Sequence, residues 1–269
     1  MVKGGNDIKI AVQEWGNLEG KPILFAHAWS QSHLSWLPQI NSNLAEKYHI
    51  ITFDYRGHGN SEKPLEKDQY NNADIWADDL NAIINILELN DVTLVGWSYG
   101  SIVIADYLNK YGTDKVKALN IVGGITALGV KRVENHFGED AAASMQAFDP
   151  KLPTQAIAML NIAKMMVPDN LDKETYGFLI ATNMMTPAFV RKAMTERSVD
   201  YKELYQQLDI PVLFTHGTQD TGILPIAAIE AADFVQKSKL SLYEGANHGP
   251  HWFDAKRFNF ELAKLVNAY

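Results

Sequence analysis

The chain has 269 residues, of which 46% are hydrophobic and 21% are charged, a composition typical of a globular protein with a large core. Its length fits one α/β domain with an insertion, or two small domains. The net charge of −8 argues against non-specific binding to nucleic acid or to anionic membranes. Because the chain contains no cysteine, disulfides, thiol nucleophiles and cysteine-ligated metal sites are excluded.

The beginning of the chain carries no targeting pattern. Residues 1–7 lack the apolar stretch of a signal peptide, and no later stretch approaches the roughly 18 apolar residues of a membrane span. We therefore expect a soluble, cytoplasmic protein. A secretory signal removed before this start is the alternative.

Strand and helix patterns alternate along the first half of the chain. Alternating or continuous apolar residues predict strands, and apolar residues at helical spacing predict helices. The strands are predicted over residues 8–15, 23–26, 50–53, 91–95 and 116–122. The helices are predicted over residues 34–47, with an interruption at Pro38, and over 68–88 and 101–108.

The alternation stops in the middle of the chain and then resumes. Residues 126–205 show mainly helical patterns. After them come a strand over 210–214, a helix over 225–236, a strand over 240–243 and a helix over 252–266. This order predicts an α/β fold whose mostly parallel sheet is covered by helices on both faces. Residues 1–125 and 206–269 would form the core domain, and residues 126–205 a helical cap over the carboxyl ends of the strands.

A five-residue turn, Gly96-Trp97-Ser98-Tyr99-Gly100, joins a predicted strand to a predicted helix. The glycines suit a turn too sharp for side chains, and the helix N-terminus can stabilise a developing anion. The stretch resembles the G-x-S-x-G nucleophile elbow of the α/β-hydrolase family. That resemblance implies a mostly parallel sheet of the eight-stranded type and Ser98 as the nucleophile.

The same resemblance implies an acid and then a histidine, each in a loop after a later strand. A serine hydroxyl needs such a base, and the base needs a carboxylate that orients it. Asp220 lies in residues 216–220, which resemble the family's G-x-x-D loop; its alternative role is to cap a helix. His248 follows the last predicted strand and is the expected base, with His251 as its competitor.

The oxyanion formed by attack needs two backbone N–H donors. Tyr99, next to the nucleophile, is expected to supply one of them, and Trp29 the other. Trp29 lies in His27-Ala28-Trp29-Ser30, which resembles the family's H-G-x-P loop with alanine for glycine and serine for proline. A left-handed backbone at Ala28 would cost about 1–2 kcal/mol, so the loop can follow a different path. His27 is interpreted as holding the loop by a hydrogen bond.

Residues 54–61 match the family's D-x-R-G-x-G-x-S segment. We interpret this segment as architecture, with Asp54 and Arg56 bonding nearby backbone. His58 lies in it, but no acidic or histidine partner stands at ligand spacing, so no metal site is predicted.

Seven of the eight methionines lie in residues 126–205, where they either pack helices together or line an acyl pocket. Trp29, Met159 and Met184 are the expected pocket residues. The resemblance implies a carboxylesterase-like serine hydrolase that cleaves esters of small substrates without a cofactor or a metal. We expect a small ester or acyl compound as the partner, with no nucleic acid or membrane, and a homo-oligomer is possible.

Several relatives of this kind use the same triad, so alternatives to an esterase remain open. They are a cofactor-free haloperoxidase or perhydrolase, a carbon–carbon bond hydrolase, and a ligand receptor with slow turnover. Serine at position 98 argues against a haloalkane dehalogenase, which needs a carboxylate nucleophile.

Overall fold

The computed structural model describes residues 1–167 and 172–268. Its strands are Val2–Lys3 (β1), Lys9–Ile10 (β2), Val12–Gly16 (β3), Pro22–Ala26 (β4), His49–Phe53 (β5), Val92–Trp97 (β6), Val116–Val122 (β7), Ala127–Leu128 (β8), Val199–Asp200 (β9), Val212–Gly217 (β10) and Ser238–Tyr243 (β11). Its α-helices are Leu37–Ile40 (α1), Asn43–Lys47 (α2), Asp68–Asn71 (α3), Ala73–Ile86 (α4), Gly100–Tyr111 (α5), Glu139–Ser144 (α6), Leu152–Met166 (α7), Lys173–Met184 (α8), Ala188–Thr195 (α9), Lys202–Gln206 (α10), Ile226–Phe234 (α11), Pro250–Phe253 (α12) and Ala255–Asn267 (α13). Short 3-10 helices cover Gly5–Asp7, His33–Trp36, Lys131–His136 and Met145–Phe148.

The main sheet contains seven of the described strands, in the order β11-β10-β7-β6-β4-β5-β3. β3 runs antiparallel to β5, and all other neighbours in this sheet are parallel. The predicted α/β class and mostly parallel sheet are therefore confirmed. The sheet has seven strands and not eight because β1 and β2 pair with each other in a separate sheet.

The first predicted strand, over residues 8–15, is divided at Ala11. The Ala11 N–H donates to Ser61 Oγ (2.8 Å), and its carbonyl accepts from the Asp54 N–H (2.9 Å). Both backbone groups of this residue thus bond to the loop after β5, which ends β2 and begins β3.

Both faces of the sheet are buried, as the continuous apolar strands indicate. Side chains alternate along a strand, so Ile23 and Phe25 of β4 enter one apolar cluster while Leu24 and Ala26 enter the other. The first cluster includes α1, α2 and α13 side chains, and the second includes those of α4, α5 and α11. Because these strands are parallel, the loops that follow their carboxyl ends lie at one edge of the sheet.

Two of the predicted helical regions are divided by capping side chains. In the region predicted over 34–47, Ser42 Oγ accepts from the Leu44 N–H (3.2 Å) and starts α2. In the region predicted over 68–88, Asn72 Oδ1 accepts from the Asp74 N–H (2.9 Å) and starts α4. Apolar spacing continues across both breaks, so it could not reveal these new helix starts.

The segment between β7 and β10 is mainly helical, as predicted, and also contains the antiparallel pair β8–β9. We call residues 123–211 the inserted segment. Its helix α7 reaches the loop after β11, where the Met165 carbonyl accepts from the His248 N–H (3.1 Å). None of the helices in the described residues combines the length and apolar character needed to cross a bilayer.

Candidate active site

The turn between β6 and α5 holds Ser98 in a left-handed backbone conformation. Its φ is +53°, a value that costs a non-glycine residue of order 1–3 kcal/mol. The Ser98 N–H donates to Val122 O (2.8 Å), and its carbonyl accepts from Ser101 Oγ (2.6 Å). These bonds fix a strained residue directly before a helix N-terminus, and its side chain remains partly exposed.

The two glycines of this turn are required by close packing. A Cβ atom on Gly96 would lie 2.8 Å from the Gly100 carbonyl carbon and oxygen, and one on Gly100 would lie 2.4 Å from Ala26 O. These contacts are shorter than van der Waals separation. The sharp turn predicted from the sequence therefore depends on residues without side chains at both positions.

The loops after β10 and β11 bring Asp220 and His248 together. The His248 Nδ1 atom lies 2.7 Å from Asp220 Oδ2, and both side chains are buried. Since an ionised carboxylate can only accept, Nδ1 carries the proton and Nε2 is the nitrogen able to accept one. The competitor His251 is instead packed between Trp36 and Trp97, with ring centroids 4.6 Å away in each case.

Asp220 is bound on both oxygens. Its Oδ1 accepts from the Gly222 N–H (2.9 Å) and the Ile223 N–H (3.0 Å). Its Oδ2 lies 3.2 Å from His216 Nε2 in addition to its contact with His248. Burial favours the neutral acid, but the charges of His248 and His216 and the hydrogen bonds from both hold the pKa of Asp220 below its usual value.

His216 was not predicted from the sequence as a site residue. Its Nε2 atom also lies 2.8 Å from the Ile223 carbonyl oxygen, which can only accept, so Nε2 carries a proton. The same Nε2 atom has Asp220 Oδ2 as a second oxygen neighbour, at 3.2 Å. The sequence could have indicated this residue, because a histidine at the end of a strand expected to be buried needs a hydrogen-bond partner.

We expect His216→Phe to change the pH dependence of catalysis. Loss of the Nε2–H donor makes the Asp220 carboxylate a stronger acceptor for His248, so the acidic limb of the kcat/KM profile should move to higher pH. The expected displacement is up to about one pH unit, the scale of one hydrogen bond to a charged group.

The matched variant is His216→Gln, which can place an amide N–H near the same position and should keep the limb close to that of the wild type. Profiles measured over the acidic range compare the three proteins. A lower rate in His216→Phe at every pH, with no movement of the limb, would contradict the prediction.

His248 and Ser98 flank the same short stretch of backbone. Ser98 bonds to Val122, and a Cβ atom on the next residue, Gly123, would lie 3.3 Å from His248 Nδ1. Trp97 Nε1 donates to the His248 carbonyl (2.8 Å) and so connects the histidine to the residue before Ser98. Within residues 1–167 and 172–268, Ser98 Oγ makes no hydrogen bond.

The two backbone N–H groups predicted to bind the oxyanion lack an acceptor among the described residues. Neither the Tyr99 N–H nor the Trp29 N–H donates a hydrogen bond to any part of the chain that the structure describes. Tyr99 lies at the N-terminus of α5, where the first N–H groups of a helix are free to bind an anion. Both N–H groups are thus available as donors, and their role at an oxyanion stays a prediction.

The loop after β4 does not place Ala28 in a left-handed conformation. Its left-handed residue is Ser30, with φ +62°, whereas Ala28 is not among the residues of positive φ. Proline fixes φ near −65°, so the proline of the family pattern could not adopt this conformation at position 30. As predicted, His27 holds the loop, because its Nδ1 atom donates to Ala28 O (2.8 Å) and its Nε2 atom accepts from the Tyr55 N–H (3.1 Å).

The segment 54–61 is bonded largely as predicted. Asp54 accepts from the His33 N–H (2.7 Å) and the Asn60 N–H (2.8 Å). Arg56 donates to Gly5 O (2.9 Å) and also forms a buried ion pair with Asp79, which was not predicted. In the described part of the chain, no group of three or more histidine and acidic side chains could hold a metal ion.

The three expected pocket residues differ in exposure. Trp29 is half-buried, with its ring edge-on to Phe148 at a centroid distance of 6.0 Å. Met159 is fully buried, and its sulfur lies 3.9 Å from Ser30 Oγ. Met184 is half-buried against the first apolar cluster. Their roles as pocket residues stay a prediction.

A buried ion pair anchors the side chain of Tyr99. Arg197 Nη1 donates to Tyr99 Oη (2.9 Å), and Nη2 donates to Asp106 Oδ1 (2.5 Å). Asp106 also accepts from Tyr201 Oη. Burial raises the pKa of Asp106 to about 6, against the opposing effect of Arg197. The residue after Ser98 is thus connected to the end of the inserted segment.

We expect Arg197→Met to lower the free energy of unfolding by about 3–5 kcal/mol, because Asp106 is left as an unpaired buried charge. Urea denaturation measures the effect. The double variant that adds Asp106→Asn should recover part of the loss. Equal stability of Arg197→Met and the wild type would contradict this prediction.

Comparison with known proteins gives the fold family of the chain. A family model described as the alpha/beta hydrolase fold matches residues 21–255. A non-heme chloroperoxidase of Kitasatospora aureofaciens is 28% identical, over 97% of this chain and 96% of its own. A bifunctional esterase/perhydrolase of Acinetobacter calcoaceticus is 25% identical, over 97% of each chain.

Solved structures show the same likeness. The crystal structure of an esterase from Rhodococcus sp. ECU1013 superposes with a TM-score of 0.94 at 31% identity, covering 99% of this chain and 98% of that one. The family match extends from before β4 to the first residue of α13, and so contains the elbow, the acid loop and the histidine loop. This chain therefore belongs to the α/β-hydrolase fold family.

Proposed function

We propose that the protein is a serine hydrolase that cleaves carboxylic esters of small substrates through an acyl-enzyme. The observation that carries the proposal is the 2.7 Å contact between His248 Nδ1 and Asp220 Oδ2 beside the strained Ser98. In this mechanism His248 Nε2 takes the Ser98 proton as the oxygen attacks the ester carbonyl. The contact between Ser98 and His248 then forms in the substrate complex, where catalytic hydrogen bonds commonly tighten.

Tyr99 and Trp29 would stabilise the oxyanion with their free backbone N–H groups. Collapse of the tetrahedral intermediate breaks the bond to the alkoxy oxygen, which leaves as the alcohol with the proton held by His248. Water then attacks the acyl-enzyme while His248 again accepts a proton, and the acid is released with Ser98 restored. The complete reaction consumes one ester and one water and releases one alcohol and one acid.

The inserted segment would act as a cap that shapes the acyl site. Support comes from its position, since Met165 bonds to the His248 backbone and Met159 contacts Ser30. Trp29, Met159 and Met184 are the side chains that we propose for the acyl pocket, because thioether and indole groups adapt to apolar chains of varied shape.

A panel of p-nitrophenyl esters of increasing acyl length tests this function. We expect turnover of short or medium chains and stoichiometric labelling by a fluorophosphonate, with the added mass on the peptide that contains Ser98. Labelling at another serine would reject Ser98 as the nucleophile. Absence of both turnover and labelling would reject the hydrolase proposal and favour a ligand receptor.

Perhydrolysis is a second candidate because similar proteins are named chloroperoxidase and esterase/perhydrolase. Hydrogen peroxide would replace water as the attacking group on the acyl-enzyme and release a peracid, which oxidises bromide. Bromination of phenol red in the presence of peroxide, bromide and acetate measures this reaction. Its dependence on acetate and on Ser98 separates it from direct halide oxidation.

A further inference from the structure

The turn formed by Trp29, Ser30 and Gln31 is bonded to the inserted segment at every residue. Trp29 Nε1 donates to Arg191 O (3.0 Å), and Ser30 Oγ accepts from Arg191 Nε (2.9 Å). Gln31 Nε2 donates to Asn183 Oδ1 (2.6 Å). Three consecutive residues of the loop after β4 therefore take their positions from helices α8 and α9.

Arg191 is the centre of these contacts. Its side chain is fully buried, Nη1 donates to Gln155 Oε1 (2.8 Å) and Ala147 O (3.2 Å), and Nη2 donates to Asn183 O (2.7 Å). One guanidinium thus connects α7, α8, α9 and the 3-10 helix Met145–Phe148 to Ser30. Its rigid fork of donors suits such a junction better than a lysine ammonium would.

The charge of Arg191 has no carboxylate partner within residues 1–167 and 172–268. Neutral oxygens surround it, and burial lowers its pKa to about 10, which leaves it charged at neutral pH. A buried charge without a counter-ion is unfavourable unless its hydrogen bonds are well formed. Burying this guanidinium therefore costs more free energy than apolar side chains would cost at the same place, because apolar side chains join the same elements without desolvation of a charge.

The contacts of Arg191 and Asn183 hold the backbone of Ser30 in place. Its positive φ is a strained conformation that the surrounding structure has to impose. The Ser30 hydroxyl lies between Arg191 Nε and Asn183 O (3.3 Å), so both helices act on it. The residue before it is Trp29, whose backbone N–H has no acceptor in the described chain.

We propose that Arg191 is a positioning residue that acts through Ser30 to keep the Trp29 backbone N–H directed at the substrate oxyanion. The inference rests on the proposed function. Arg191 does not touch the substrate; it fixes the turn before the reaction, so the donor needs no reorganisation as charge develops. The inserted segment would then contribute to the transition state as well as to the acyl pocket.

Kinetics of Ser30→Gly and Arg191→Lys test this proposal. Glycine accepts a positive φ without strain, so Ser30→Gly removes the hydroxyl and leaves the backbone allowed. We expect kcat to fall at least about tenfold while KM changes less than about twofold, because the lost interaction acts in the transition state. Affinity for a trifluoromethyl ketone, which forms a tetrahedral oxyanion on the serine, should fall by a similar factor.

The double variant shows whether the two residues act together. If Arg191 works through Ser30, the two effects should not multiply. The kcat of Ser30→Gly/Arg191→Lys should then lie within about twofold of the kcat of the less active single variant. Arg132→Met is the control, since Arg132 is a partly exposed arginine of the inserted segment that pairs with Asp200. It should alter neither kcat nor affinity for the ketone.

Unchanged kcat and ketone affinity in Ser30→Gly would overturn the proposal, as would a raised KM with unchanged kcat. Multiplicative losses in the double variant would also overturn it, because they indicate independent effects. Ser98→Ala is measured in parallel. If that variant keeps the ester activity, the proposed function itself is wrong, and this outcome is distinct from a failure of Ser30→Gly alone.

Discussion

Ser98→Ala is expected to lose at least about a thousandfold in kcat/KM towards p-nitrophenyl esters. Without the hydroxyl no acyl-enzyme can form, and the remaining groups can only polarise the ester for attack by water. The fold should be kept, because the bonds that fix residue 98, to Val122 O and from Ser101 Oγ, involve its backbone. Thermal unfolding therefore separates this loss from a loss of structure.

Ser238→Ala is the matched control for this experiment. Ser238 begins β11 at the amino end of the sheet, away from the elbow, and its hydroxyl bonds to Ala232 O (2.8 Å). It should keep wild-type activity. Retention of wild-type rates by Ser98→Ala, or equal losses in both variants, would refute Ser98 as the nucleophile.

Asp220→Asn is expected to reduce kcat by about 10³–10⁴-fold while leaving KM close to that of the wild type. An amide can turn its N–H towards His248 Nδ1 and favour the tautomer that carries the proton on Nε2. That nitrogen could then no longer accept the proton of Ser98. Asp209→Asn is the control, because Asp209 lies before β10 and its exposed carboxylate pairs only with Lys237 among the described residues.

The same variant has a predicted effect on stability. The pKa of Asp220 lies below its usual value of 3.8, so the stability from its ionised form is complete above about pH 4 and is lost as the pH falls below that value. The difference in unfolding free energy between wild type and Asp220→Asn should therefore narrow from pH 5 towards about pH 3. A constant difference would contradict the assigned direction of the shift.

Residues near the ends of strands could be located from the sequence. Ser98, Asp220 and His248 each follow a recognisable apolar strand, and the carboxyl ends of parallel strands meet at one edge. The loop containing Trp29 could be located in the same way. These positions depend on chain order and on local pattern, which a single sequence contains.

The contacts that hold those residues could not be found in this way. Arg191 and Ser30 are separated by 161 positions, and Arg197 and Asp106 by 91. No local spacing relates such pairs, and an arginine or serine in a helical or loop pattern suggests a solvated surface. The split helices and the seven-stranded sheet escaped prediction for a related reason, because single side chains such as Ser42 and Ser61 redirect backbone hydrogen bonds.

The peptide groups on either side of the His248 α-carbon have partners in two different parts of the molecule. Met165 on α7 receives the His248 N–H, and the indole of Trp97 on β6 binds its carbonyl. A chimera that replaces the inserted segment with that of another protein must therefore supply a carbonyl where α7 now presents one. A chimera without that carbonyl should show a displaced His248 side chain even when Ser98, Asp220 and His248 are all retained.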